Sequence, residues 1–324
     1  MVFETTPVTL ETIDLTDHTY RISTLADPAK IDSLADSIDR VGLIQAPLIL
    51  ENKPHRRIVS GFQRMAACDR LGLKKITCRI LLPETPLLRL AQLAVAENAW
   101  QRPLNLMEKA RAFALLAKTV ADSNRPTDLA SGLGLDENPK MIEKLIRLTR
   151  LATSIQEAAE SGDLGLAMAL TLGRLIPEDG RQILDLVQTF RFGLNKQREL
   201  IELIQEIAKR ESISIGQVLV SDDINAILTQ ADQDRPVCGA ALRRYLKQRR
   251  YPALTQAETA FHQLVRELKL SPRIRLTPPP YFEGNTYQLI FAFDTIEELN
   301  DHQQYLEKMR AHPRLKGFLA DKGL

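Results

Sequence analysis

Two short stretches hold the residue types that phosphate and metal chemistry requires. In Ile58-Val59-Ser60-Gly61-Phe62-Gln63-Arg64-Met65 a β-like run ends at Ser60-Gly61 and a helical run starts at once. A glycine there permits close backbone approach, and a helix start offers free N–H groups and a positive dipole end to an anion. Arg64, in the first turn, adds a fork that can grip a phosphate at two oxygens. An ordinary strand-to-helix turn uses the same glycine, so this stretch alone leaves both readings open. In Glu97-Asn98-Ala99-Trp100-Gln101-Arg102 an acid, an amide and an arginine fall within six positions at a helix end. A carboxylate with an amide oxygen, Glu97 and Asn98, suits a hard cation such as Mg2+ that phosphates also hold, and Arg102 suits the phosphates. A solvated Glu97 with Asn98 capping the helix is the structural alternative. Trp100, the one tryptophan, is expected to be a packing anchor.

Two further stretches have the charge pattern of nucleic-acid contacts. Thr127-Asp128-Leu129-Ala130-Ser131 reads as a short helix with Thr127 as its N-cap, Gly134 as a turn, and Pro139 to Leu148 as a second, amphipathic helix. On that second helix Lys140, Lys144 and Arg147 share one face at i, i+4 and i+7, while Met141, Leu145 and Leu148 share the expected buried face. The segment Leu242-Arg243-Arg244-Tyr245-Leu246-Lys247-Gln248-Arg249-Arg250-Tyr251 holds five basic residues and no acid. Arg243, Arg244, Arg249 and Arg250 there fit contact with a nucleic-acid backbone, and a solvated basic helix fits as well.

The elements that must position these residues alternate at first. Ile31 to Val41 has a helical period and stops at Gly42; Ala46–Leu50, Arg57–Val59 and Ile76–Leu82 read as strands, with a helix from Met65 to Leu71. From Leu106 to about Glu211 nearly everything is helical. A helix from Gln256 to Leu268 precedes a β-β-α tail: Ile274–Leu276, Tyr287–Phe293 and a helix from about Thr295 to Met309. The fold class expected is α+β. A chain of 324 residues with 44% apolar and 26% charged residues predicts a soluble globular protein of two or three domains. No stretch approaches the ~20 apolar residues of a membrane helix, and the N-terminus lacks a secretion signal, so no membrane partner and a cytoplasmic location are expected. Cys68, Cys78 and Cys238 have no metal-binding spacing and fit buried thiols.

Taken together, the stretches resemble the ParB family. Leu34-Ala35-Asp36-Ser37-Ile38 with Gly42-Leu43-Ile44-Gln45-Ala46-Pro47-Leu48 resembles the opening box of its N-terminal domain. Arg57 to Ala67 is similar to its glycine-glutamate-arginine-arginine box, and Glu97 to Leu104 to its glutamate-asparagine-x-x-arginine box. The resemblance implies a ParB/sulfiredoxin-like domain over residues 1–104 and a helical helix-turn-helix DNA-binding domain over 105–215. A basic helical connector over 216–255 and a C-terminal β-β-α dimerisation module over 256–324 would complete the chain. It implies CTP with Mg2+ as cofactor, held by Gln45, Gly61, Arg64, Glu97, Asn98 and Arg102. Glu97 and Asn98 would manage the metal, and Glu97 would be catalytic in a slow CTP hydrolysis. Double-stranded DNA and a second copy of the chain are the implied partners, in a clamp that CTP closes on the nucleoid. The sequence departs from the family at Phe62 and Gln63, where an acid and a first arginine usually stand, and at Asp136 and Glu137, two acids near the DNA-facing tip. A ParA-type ATPase would be a further partner, but Met1 to Tyr20 contains no Lys or Arg to serve as its usual basic contact.

Two other readings share the scaffold. One is a ParB-derived transcriptional regulator without nucleotide hydrolysis. The other is a phosphotransfer enzyme or nuclease, in which His18 or His55 would be recruited as a base.

Overall fold

A computed structural model describes residues 4–24, 27–52, 54–119, 132–230 and 234–320. It is a mixed α+β protein that divides into two compact units, Met1–Arg198 and Glu199–Leu324.

The first unit begins with a five-stranded sheet. Its strands are β1 (Glu4–Thr9), β2 (Ile13–Asp14), β3 (Leu48–Leu50), β4 (Arg56–Ser60) and β5 (Lys75–Leu81), in the order β1-β5-β3-β4-β2. β1 runs antiparallel to β5, and β5 runs parallel to β3; β3 is antiparallel to β4, and β4 parallel to β2. Helices α1 (Pro28–Val41) and α2 (Phe62–Arg70) pack with it. Ile49, Ile58, Ile76 and Cys78 of the strands meet Ala35, Ile38, Met65 and Cys68 of the helices in a buried core. The three cysteines are buried and free, and burial pushes the Cys78 thiol up to about 11.

This register places the site. Leu48 pairs with Ser60 on one side and Arg79 on the other. The residues just before β3, Gln45 to Pro47, are therefore brought against the end of β4 and the middle of β5.

Helices follow in series: α3 (Leu87–Ala99), α4 (Leu106–Lys118), α5 (Pro139–Leu148), α6 (Thr153–Ser161), α7 (Leu166–Leu172), α8 (Pro177–Phe190) and α9 (Leu194–Glu211). Prolines open α1, α5 and α8 rather than breaking them, because the first helical N–H has no partner to lose. α4 starts with a reciprocal cap: the Asn105 side chain accepts from the Glu108 N–H, and Glu108 reaches back to the Asn105 N–H.

The second unit contains α10 (Ile215–Leu219), α11 (Asp222–Thr229), α12 (Arg235–Arg250) and α13 (Pro252–Leu268). They precede the antiparallel pair β6 (Ile274–Thr277) and β7 (Gln288–Phe291), then α14 (Ile296–Ala311) and α15 (Pro313–Ala320). The tail therefore has the β-β-α order expected.

Candidate phosphate-binding site

The strand-to-helix turn takes a form that excludes any side chain. Gly61 has φ +94°, and a Cβ there would lie 3.0 Å from Pro47 Cβ and 3.1 Å from Pro47 Cα. The turn thus demands glycine for two reasons, its backbone conformation and the closeness of Pro47. No side chain caps α2 at this N-cap. The N–H groups of its first turn are therefore left for another acceptor, at the positive end of the helix.

Against this turn the structure gathers the residues of the second stretch. Ser23, Ser60, Gly61, Arg64, Glu97 and Asn98 line a cleft of about 130 Å³. Phe62, Gln63, Gln101 and Arg102 also reach it. Glu97 is the pivot. Its Oε1 accepts from Arg64 Nη2 at 2.7 Å, from Gln45 Nε2 at 3.1 Å and from Arg79 Nη2 at 3.3 Å. Its Oε2 is buried without a hydrogen-bond partner among the described residues. Arg64 also donates from Nη1 to the Gln45 carbonyl at 2.8 Å, which ties α2 to the approach to β3.

Two guanidinium groups thus converge on one carboxylate oxygen in a half-buried cluster. A group bearing several negative oxygens would match both the guanidinium groups and the open N–H groups.

Sequence reasoning placed Gln45, Gly61, Arg64, Glu97 and Asn98 together, and the structure does the same. Arg102 borders the same cleft through a different ion pair. Its guanidinium is committed as a fork to Glu108, Nη1 to Oε2 at 2.7 Å and Nη2 to Oε1 at 2.6 Å, so it is already matched. Asn98 is not the helix cap; it lies in the last turn of α3 and donates from Nδ2 to the Ala94 carbonyl at 2.8 Å. Trp100, expected as a packing anchor, is 72% exposed; its ring edge runs beside Gly134. Neither histidine weighed as a base lines the cleft: His18 packs edge-on to Phe62 at 6.1 Å, and His55 is exposed. Arg79 was missed. In Ile76-Thr77-Cys78-Arg79-Ile80 it reads as the solvent face of a strand, and only the β3 register reveals its direction.

The nucleic-acid residues fall into two groups. Lys140, Lys144 and Arg147 stand exposed along α5, and Ile142, Leu145 and Leu148 are buried behind them. Ile142, not Met141, takes the inner position. Glu137, one of the two acids near the tip, is tied to Lys109 at 2.9 Å. Thr127 to Ser131, expected as the first helix of the helix-turn-helix, lies outside the described residues.

On α12 the basic segment is largely occupied. Arg243 and Lys247 both hold Glu199, Arg249 holds Glu211, and Arg250 holds Glu206. The four arginines expected to form a free patch are therefore reduced to one, Arg244, which is exposed and without an ion pair among the described residues. The physical reason is the row of glutamates on α9, which the linear segment does not contain.

Residues 3–99 match the family described as ParB N-terminal domain. The N-terminal part of the chain is thus similar to the ParB family. It is 33% identical over 144 residues to a probable chromosome-partitioning protein ParB of Rickettsia felis, covering 44% of this chain and 47% of that relative. A protein of the same description from Campylobacter jejuni is 25% identical over 187 residues, covering 58% and 64%. The chain thus spans about half to under two thirds of these relatives' length. Among solved structures, a C-terminally truncated ParB from Caulobacter crescentus complexed with CTP-gamma-S is 20% identical. That match covers 57% of this chain and 98% of the other, with a TM-score of 0.27.

Among the described residues no helix is long and apolar enough to cross a membrane, and no group of three or more His, Cys, Asp or Glu side chains could hold a metal ion.

Proposed function

We propose that this chain is a DNA-partitioning protein that binds CTP with Mg2+ in the cleft at Gly61 and, as a dimer, holds double-stranded DNA under the control of that nucleotide. The observation that carries the reading is the convergence of Arg64 and Arg79 on one Glu97 oxygen, beside the open end of α2. CTP is the nucleotide that the resemblance to that family suggests.

In this reading Gly61 and the first N–H groups of α2 cradle phosphate oxygens, and Arg64 turns to them from Glu97. Gln45 stands behind the site, donating to Glu97 Oε1. Arg102 stands back, holding Glu108.

A metal fits only as cargo of the nucleotide, because Glu97 and Asn98 alone supply too few ligands. Glu97 Oε2, buried and unpartnered, and the Asn98 amide oxygen are the groups that would hold it. When bound, Mg2+ neutralises phosphate charge. Glu97 Oε2 is alternatively the group that would accept a proton from an attacking water, since one oxygen cannot hold a metal ion and take a proton at once.

The exposed row Lys140, Lys144 and Arg147 would lie against DNA phosphates, helped by the pairing of Glu137 with Lys109. Ile290, Phe293, Ile296, Leu299 and Leu306 stay 40–66% exposed on a module with only two strands. That supports pairing of two copies through residues after 255, since so small a sheet buries too little by itself.

Calorimetry with CTP, GTP and ATP, with and without DNA, tests the core of the reading. Micromolar binding of CTP with Mg2+, weaker for ATP, is expected; no binding of any nucleotide at millimolar concentration overturns the clamp. On DNA, the triple change of Lys140, Lys144 and Arg147 to Ala should flatten the salt dependence by about one unit per lost phosphate contact.

A further inference from the structure

Arg79 lies outside every stretch that the sequence singles out, yet it completes the charge pattern of the cleft from the sheet side. Its own N–H donates to the Pro47 carbonyl at 2.8 Å, its Nε to the Ala46 carbonyl at 3.2 Å, and its Nη2 to Glu97 Oε1 at 3.3 Å. It is thereby fixed to the approach to β3. Arg64 meets the same oxygen from the helix side. Glu97 Oε1 therefore keeps a cation from the sheet side if the one from the helix side is withdrawn.

We infer that Arg79 is a positioning residue that keeps Glu97 compensated while Arg64 turns to a phosphate, and so replaces the cation that Gln63 leaves out of the glycine turn. The inference rests on reading the cleft as a phosphate site. Arg64 lines the cleft; Arg79 instead lines a separate recess with Gln45, Leu48, Leu93, Ala96 and Glu97. An entering anion therefore competes with Glu97 for Arg64 and not for Arg79.

The Glu97 side chain is only 12% exposed. Were Arg64 its sole partner, releasing Arg64 would strand a largely buried carboxylate, and the binding anion would have to offset that penalty. With Arg79 in place the exchange leaves no unpaired charge. Gln63 stands one residue before Arg64 in the glycine turn, so an arginine there would offer a second cation to the same phosphate position. Gln63 is exposed and borders the cleft, so placing that arginine is sterically open. The two cations should substitute for one another.

The test measures affinity of the full chain for inorganic tripolyphosphate, and for CTP with Mg2+, alongside thermal unfolding. The variants are Arg79→Met, Arg79→Lys, Gln63→Arg and each Arg79 change combined with Gln63→Arg. Arg79→Met should weaken both probes about tenfold or more, the scale of a charge-assisted contact. Arg79→Lys, which keeps the charge but loses the fork, should weaken them by about threefold. Gln63→Arg should return either variant to within about threefold of the parent without moving its unfolding midpoint, an effect that a purely structural Arg79 would not show. Unchanged affinity in Arg79→Met, or a loss that Gln63→Arg does not rescue, overturns the inference. Should Arg79→Met fail to fold, Arg79→Lys and its double variant decide by the same criteria. A parent chain that binds neither probe at millimolar concentration overturns the phosphate-site reading itself, and the inference with it.

Discussion

Glu97 and Glu108 sit on successive helices, each clasped by arginine, and they do opposite things. Glu108 is fully buried and complete. Its Oε1 accepts from Arg102 Nη2 at 2.6 Å, from the Thr24 N–H at 3.1 Å and from the Thr24 hydroxyl at 3.3 Å; its Oε2 accepts from Arg102 Nη1 at 2.7 Å and from the Asn105 N–H at 3.0 Å. Both oxygens are satisfied, so a further ligand finds nothing to complete. Glu97 is lopsided. Three donors crowd Oε1 while Oε2 has none, and two cations share its one charge. A buried ion pair that is finished holds structure, whereas one left unfinished beside a cleft marks a site.

The largest effect should come from breaking the finished pair. Glu108→Ala leaves Arg102 unmatched and frees the Thr24 loop and the cap of α4, so unfolding in urea should show a loss of roughly 3–5 kcal/mol. A loss below about 1 kcal/mol would mean that Glu108 is no hub.

Acid should remove the same contribution more gently. Burial alone would raise the Glu108 carboxyl, but the Arg102 side chain and the Asn105 and Thr24 backbones outweigh it and hold it near 2, against an ordinary 4.5. The folded form thus takes up its proton later than the unfolded chain does. Its contribution, about 3 kcal/mol, is intact above pH 4.5 and is lost as the pH falls from there through about 2. In Glu108→Ala that segment of the stability–pH curve should flatten, and an unchanged slope would assign it to other carboxylates.

The two glutamates differ also in how far the sequence discloses them. Glu97 was legible because its neighbours come as a family box and because Gly61 and Arg64 mark the other wall. Glu108 was not: three residues after Asn105 it looks like half of a helix cap, and nothing local says that Thr24 and Arg102 converge on it. Arg102 was assigned to phosphate for the same reason, since its partner is identified only by the helix turn between them.

The central strands and helices were legible from their periodic burial. β1 and β2 were not, because β1 buries only Val8 and β2 has two residues; their pairing, not their pattern, makes them strands. The basic run on α12 shows the converse error. Composition gave its charge correctly, but the compensating Glu199, Glu206 and Glu211 lie a helix away.

Arg102→Lys sharpens the boundary between the two regions. Lysine keeps the charge but cannot make both bonds of the fork, so stability should fall by about 1–2 kcal/mol. Affinity for tripolyphosphate should change less than about twofold, within the scatter of a residue that makes no direct contact. A tenfold loss of affinity with intact stability would move Arg102 out of the Glu108 hub and into the site.

The smallest change in stability should follow Glu97→Gln, and here the contrast with Glu108 is sharpest. The amide keeps the shape and one acceptor. Arg64 and Arg79 have side chains 17% and 27% exposed, enough for water or a counterion to reach them once the charge is gone. The folding cost should therefore stay below about 1 kcal/mol, in the range of partly exposed pairs. Anion binding should hold or tighten, because Arg64 no longer has to be drawn from a carboxylate. Any CTP hydrolysis should disappear, because the amide oxygen cannot take a proton from water. Unfolding and calorimetry on one sample separate these outcomes. A destabilisation as large as that of Glu108→Ala would make Glu97 a second structural hub and remove the distinction between a finished and an unfinished pair.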